Sequence, residues 1–149
     1  MYHLVYVSHA VQPFLEKDLV DLLNESRLKN KANHITGMLV YLKEKFIQVL
    51  EGDYEIVNQI YGGIKVDSRH HKVRLMLEGN TEDRLFKNWS MGFKRLEPQP
   101  FEEFSGFHDL EDFFDEQHVT NESPAVMIFL TLFYKKNLTD YPESAAFTP

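Results

Sequence analysis

The sequence predicts an α+β fold: a ferredoxin-like βαββαββ chain in which a mixed sheet carries two helices on one face. Three observations lead there. Five apolar runs have strand length and are bounded by charges, glycine or turn residues. Two intervening stretches place apolar residues three and four apart, the spacing of a helix with one buried stripe. The helical stretches also fall between strands instead of being segregated from them, so they must cross the sheet and cover one face. The 149 residues suffice for one such domain and a short appendage.

The elements follow in order. "HLVYVS" alternates, with Leu4, Tyr6 and Ser8 on one face and Val5 and Val7 on the other. Pro13 and the charges after it open a helix whose stripe is Leu15, Leu19, Leu22, Leu23 and Ser26. "ITGMLVYL" and "FIQVLEG" are strands separated by "KEK", a length that suits a hairpin. Gly52 and Asp53 start a second helix with Ile56, Val57, Ile60, Tyr61 and Ile64 inward. "HKVRLMLEG" is a strand in which Val73, Leu75 and Leu77 alternate with Lys72, Arg74 and Met76, and "NWSMGFKRL" is the last strand of the domain. "EPQP" after Leu96 then marks a boundary, dividing the chain into a domain at 1–96 and an extension at 97–149. The extension holds Phe101, Phe104, Phe107, Leu110, Phe113 and Phe114 at helical spacing, and a second helix from Pro124 to Lys136. It is too short to be an independent effector domain, and its helices are expected to pack on the sheet's other face.

Composition excludes several classes. A net charge of −7 opposes nonspecific binding to nucleic acid or to an anionic membrane. The longest apolar run, "AVMIFLTLFY", is too short to span a bilayer, and the N-terminus lacks the basic start of a signal peptide. With no cysteine there is neither disulfide nor thiolate site, which fits a cytoplasmic protein. No metal site is expected, because His70 and His71 are adjacent and point opposite ways on a strand, and no histidine has a partner four residues away.

The polar exceptions carry the functional signal. Gln48 lies inside "FIQVL" with apolar residues on both faces, so its amide is buried whichever way the strand faces. A buried amide needs partners, and each orphaned group costs about 1–3 kcal/mol. Ser26 and Asn30 continue the apolar stripe of the first helix. Two readings are open: they cap a fraying helix end, or they face a polar ligand. Tyr6 is either core filler with a locally bonded hydroxyl or a partner for Gln48. A phenol and two amides inside an apolar shell would form a slot for a planar heteroaromatic ligand.

Taken together, "LVYVS", "SRLKN", "ITGMLVY", "FIQVLEG", "DSRHH" and "WSMGF" resemble the BLUF domain, the flavin-based blue-light sensor of bacteria and some algae. The match runs from about Tyr2 to Lys94, in order and with the family's spacing. The resemblance implies FAD as cofactor, with FMN or riboflavin as substitutes. It matches Tyr6 to the redox-active tyrosine, Gln48 to the switching glutamine and Asn30 to the asparagine that bonds the flavin ring. Arg69 and His70 match the pair near the pyrimidine end, and Leu22, Leu39, Phe46 and Ile64 the apolar contacts around the ring. Trp89 and Met91 match the pair on the last strand that relays the signal, with the choice of which one faces the flavin left open. The implied protein is a sensor and not an enzyme, acting through a homo-oligomer or a separate downstream signalling protein. The competing class is a flavin-free ferredoxin-like module that binds a small molecule, and colour separates the two: the sensor purifies yellow.

Overall fold

The computed structural model describes residues 1–42, 44–80, 82–84, 86 and 90–96. Its elements are β1 (Tyr2–Ala10), α1 (Glu16–Ala32), β2 (Thr36–Leu42), β3 (Lys45–Gly52), α2 (Tyr54–Lys65), β4 (His70–Asn80) and β5 (Gly92–Leu96), the expected α+β order. The sheet runs β4-β1-β3-β2-β5. β1 is antiparallel to both β3 and β4, β2 is antiparallel to β3, and β5 joins β2 in parallel.

This strand order puts both helices on one face. β1 and β2 are parallel with β3 between them, and β3 and β4 are parallel with β1 between them. Each parallel pair is joined by a helical crossover, and right-handed crossovers running in opposite directions across one sheet land on the same side. Tyr2, Leu4 and Tyr6 of β1, Leu39 and Tyr41 of β2, and Phe46 and Leu50 of β3 meet Leu19 and Leu23 of α1 and Val57, Ile60 and Tyr61 of α2 in one core. On the opposite face Val5, Val7, Met38, Val40, Ile47 and Val49 are each 2% exposed or less. The helices expected to pack there fall in residues 97–149, outside the described residues.

Local chemistry sets the ends of the elements. Asp53 caps α2, its Oδ1 accepting from the Glu55 and Ile56 N–H groups. α1 starts at Glu16, later than Pro13 suggested. Leu15 is the residue before its first turn and is 70% exposed, so it leaves the apolar stripe. Its N–H is held by Asp18 Oδ2 at 3.1 Å. The β2–β3 hairpin closes where Leu42 pairs with Lys45, and Glu44 takes the positive φ of 63° that tight hairpin turns demand.

Two strands depart from their pattern. β4 pairs with β1 through two register shifts, so strict alternation fails: Leu77 is 3% exposed while Leu75 is 44% exposed. The last strand begins at Gly92 and not at Asn88. The Ser90 and Met91 carbonyls accept hydrogen bonds from α1 side chains instead of joining a ladder.

Gly37 of β2 makes the close approach that a side chain would forbid. A Cβ there would lie 1.9 Å from the Val49 carbonyl oxygen and 3.3 Å from the Met91 methyl carbon. Gly37→Ala must therefore push β2 from β3, and it is expected to lower stability by about 1–3 kcal/mol. Urea unfolding checks this as a lower midpoint at unchanged slope. An unchanged midpoint would show that the strands separate at no cost.

Candidate functional site

A cleft of about 210 Å³ opens between α1 and α2 over the centre of the sheet. α1 contributes Leu22, Ser26 and Asn30, and α2 contributes Ile60, Gly63 and Ile64. The floor comes from Tyr6, Leu39, Phe46 and Gln48. A Cβ at Gly63 would meet nothing within 4 Å, so the α2 wall stays open there. The cleft is apolar with a few convergent polar groups, the usual character of a small-molecule site.

At the floor, the β1–β3 register sets Tyr6 directly opposite Gln48. The Tyr6 hydroxyl donates to Gln48 Oε1. Gln48 Nε2 in turn donates to Met91 Sδ at 3.4 Å. All three residues are buried, Met91 completely. Burial pushes the Tyr6 phenol far above its ordinary pKa, with Tyr61 and Asp67 adding to the effect. The phenol thus stays protonated, which makes it the donor and leaves Gln48 oxygen as the acceptor. Tyr61 packs against it at 5.4 Å between ring centroids and His70 at 6.4 Å.

α1 holds the segment that carries Met91. Asn30 is in the last turn of the helix yet caps nothing: its Nδ2 donates across to Ser90 O at 2.8 Å. The C-cap role falls to Asn33. Three residues before Asn30, Arg27 donates Nε to Met91 O at 2.9 Å and is 1% exposed. Arg27 is not among the residues that the sequence singles out. The signal was present in the spacing, since Leu19 and Leu23 extended by four lead to Arg27.

Arg69 and His70 do different things. Arg69 stands at the rim, its Nη2 on Asp67 Oδ2 at 2.7 Å and its Nη1 on Glu25 Oε2 at 3.3 Å. Its guanidinium holds the Asp67 carboxyl below the usual carboxylate range. His70 is half-buried and bridges Ser8 Oγ, 2.8 Å from Nδ1, to the Ile64 carbonyl at Nε2. The Ile64 carbonyl can only accept, so Nε2 carries a proton. Trp89 lies outside the described residues. Among the described residues no group of three or more His, Asp or Glu could hold a metal ion, and no helix is long and apolar enough to cross a membrane.

The residues fit a flavin ring. Leu22, Leu39, Phe46, Ile60 and Ile64 offer apolar faces, and the wall at Gly63 leaves room. Gln48 and Asn30 supply amide groups that suit carbonyl and N–H edges.

Known proteins agree with this geometry. The family model for BLUF, sensors of blue-light using FAD, matches residues 1–92. The chain is 31% identical over 83 residues to the photoactivated adenylate cyclase subunit alpha of Euglena gracilis, covering 56% of this chain and 8% of that protein. It is 31% identical over 70 residues to the blue light- and temperature-regulated antirepressor BluF of Escherichia coli K12, covering 47% of this chain and 17% of that one. This chain thus spans less than a fifth of either relative, and their activities belong to the whole proteins. Among solved structures, BlsA in its photo-activated state superposes with a TM-score of 0.75 at 26% identity, covering 96% of this chain and 97% of that one. The dark-state structure of BlrB superposes with a TM-score of 0.61 at 28% identity, covering 63% and 71%. A mixed five-stranded sheet with two helices on one face and a family match over well more than half of its length place this chain in the BLUF family of blue-light flavin sensors.

Proposed function

We propose that the chain is a blue-light photoreceptor that binds FAD, with FMN or riboflavin as substitutes, and that Gln48 is its switch. The observation that carries the reading is the Gln48 amide on the cleft floor, with the Tyr6 O–H on its oxygen and the Met91 sulfur on its nitrogen. A bound flavin supplies absorption of blue light and, once excited, a strong one-electron oxidant. Tyr6 would be the electron source for that oxidant, and its hydrogen bond to Gln48 Oε1 is the path its proton would take and return by. Gln48 is the group that could be left rearranged, offering an N–H where it had offered an oxygen. Because a thioether is a weak acceptor, the contact to Met91 costs little to break, which suits a group with two positions.

Asn30 holds the ring edge, with Ser26 beside it on α1. Leu22, Leu39, Phe46 and Ile64 exclude water around the ring. Arg69 and His70 border its polar end, Arg69 from the rim and His70 from beside Tyr6. No product leaves such a site, so the chain is a sensor and not an enzyme. The rearranged amide biases Met91, and with it Trp89 and β5, which leads toward the extension at 97–149. Output then passes through a homo-oligomer or a separate signalling protein in the cytoplasm, without nucleic acid or membrane.

Gln48→Ala is expected to keep flavin and lose the light-induced red shift, since no group remains that can exchange acceptor for donor. Tyr6→Phe is expected to block the normal photocycle by removing the electron and proton source. Absorbance after blue illumination checks both, and a normal shift with normal recovery in either variant would remove this mechanism.

Asn30→Ala is expected to weaken flavin binding roughly 5–150-fold, the equivalent of about 1–3 kcal/mol for a buried polar group left without its partner. Flavin retained per protein after dialysis is the readout. Unchanged occupancy and affinity would leave Asn30 only its bond to the Ser90 carbonyl.

A chain ending at Leu96 is expected to retain the photocycle and to lose solubility or change assembly state. Among the described residues the slot is lined from Tyr6 to His70, whereas "FEEFSGFHDLEDFF" and the stretch from Pro124 to Lys136 carry more apolar sequence than a free tail tolerates. Gel filtration with light scattering, in dark and light, decides it. Assembly and light response identical to the full chain would make the extension neither interface nor relay.

A further inference from the structure

Among the described residues Arg27 is the largest fully buried side chain, at 1% exposure, and it is not among those that line the cleft. Burying a guanidinium is expensive, and an apolar side chain of similar volume would often pack at least as well. A charged group retained in such a place calls for a directional task. Arg27 Nε holds the Met91 carbonyl at 2.9 Å, and Asn30 Nδ2, one turn further along the same helix, holds the preceding carbonyl of Ser90 at 2.8 Å. Two donors on one face of α1 thus strap down two consecutive peptide units at the entrance to β5. With its backbone held from above, the Met91 side chain reaches the Gln48 Nε2 at 3.4 Å and lays its methyl over Gly37, where no Cβ blocks it.

We propose that Arg27 is a positioning residue for the switch: by fixing the Met91 carbonyl it seats the thioether on Gln48 and sets the balance between the two arrangements of the amide. It is not among the residues that line the cleft, and it acts on the switch through Met91. The seat is a property of the resting protein. Its effect on the photocycle rests on the photoreceptor reading above. Loosening the strap removes one of the resting amide's two partners, so the return to the resting arrangement slows.

The test uses full-length protein labelled with ¹³C at the methionine methyls. The chain has five methionines, and Met91→Leu identifies the Met91 resonance. In the dark, Arg27→Gln is expected to move that resonance toward the position of free methionine while leaving the Met38 and Met76 resonances in place. Arg27→Lys, whose ammonium reaches the carbonyl without a fixed direction, is expected to move it less. After blue illumination both variants are expected to recover several-fold more slowly than the parent. An unmoved Met91 resonance in a folded variant overturns the seat. A moved resonance with parental recovery overturns the link to the switch. If Arg27→Gln does not fold, Arg27→Lys is read by the same two criteria. If the parent protein shows no light-induced shift, it is the photoreceptor reading that fails, and the dark resonance still decides for or against the seat.

Discussion

The hydrogen bond from Tyr6 to Gln48 depends on one register, the antiparallel pairing of β1 with β3 that sets these residues face to face. A slip by a single residue would turn Gln48 to the opposite face and bring Ile47 or Val49 under the helices. The apolar cost of such a slip guards the polar contact, since Phe46 and Leu50 of the same strand would leave the core with Gln48. The contact therefore borrows its precision from packing.

The same dry interior gives the contact its chemical character. A phenol buried this completely cannot ionise near neutral pH, because burial has pushed its pKa far up. The neutral phenol therefore keeps its proton and remains the donor to Gln48. The amide beside it is uncharged and can offer either an oxygen or an N–H group in one position. A carboxylate or an ammonium there would bind its partner too tightly, and would be too costly to bury, to serve as a reversible element.

β5 shows how the site and the route away from it share parts. As the parallel edge strand it is held to β2 from Met38↔Gly92 to Leu42↔Leu96. The two residues before it are held to α1 by side chains. Met91 sits at the junction, in contact with Gln48 on one side and continuous with the strand on the other. His70 makes a comparable bridge at the far end, joining Ser8 of β1 to the last turn of α2 beside Tyr6. The chromophore cleft is thus clamped at both ends by groups whose partners come from different elements.

The sequence by itself determined the elements, their order and the conflict at their centre. Helical and strand periodicities are local, so α2 with its Asp53 cap and the run "FIQVL" were readable without neighbours, and a glutamine within that run had to be buried and in need of partners. Gln48 was found this way, whereas for Tyr6 and Asn30 the pattern left two readings open and the family resemblance supplied the roles. Only the tertiary structure decided who those partners are. Met91 meets Gln48 across 43 residues and Arg27 meets Met91 across 64, distances over which no spacing rule reaches. A charge is normally exposed, and nothing near Arg27 in the chain announces the carbonyl that it holds. Likewise the register shifts that leave Leu75 exposed, and the late start of β5 at Gly92, arise from how β4 meets β1 and how α1 meets the Ser90–Met91 backbone. Period fixes which face a residue takes within its own element, whereas contact depends on the path that the chain takes between elements.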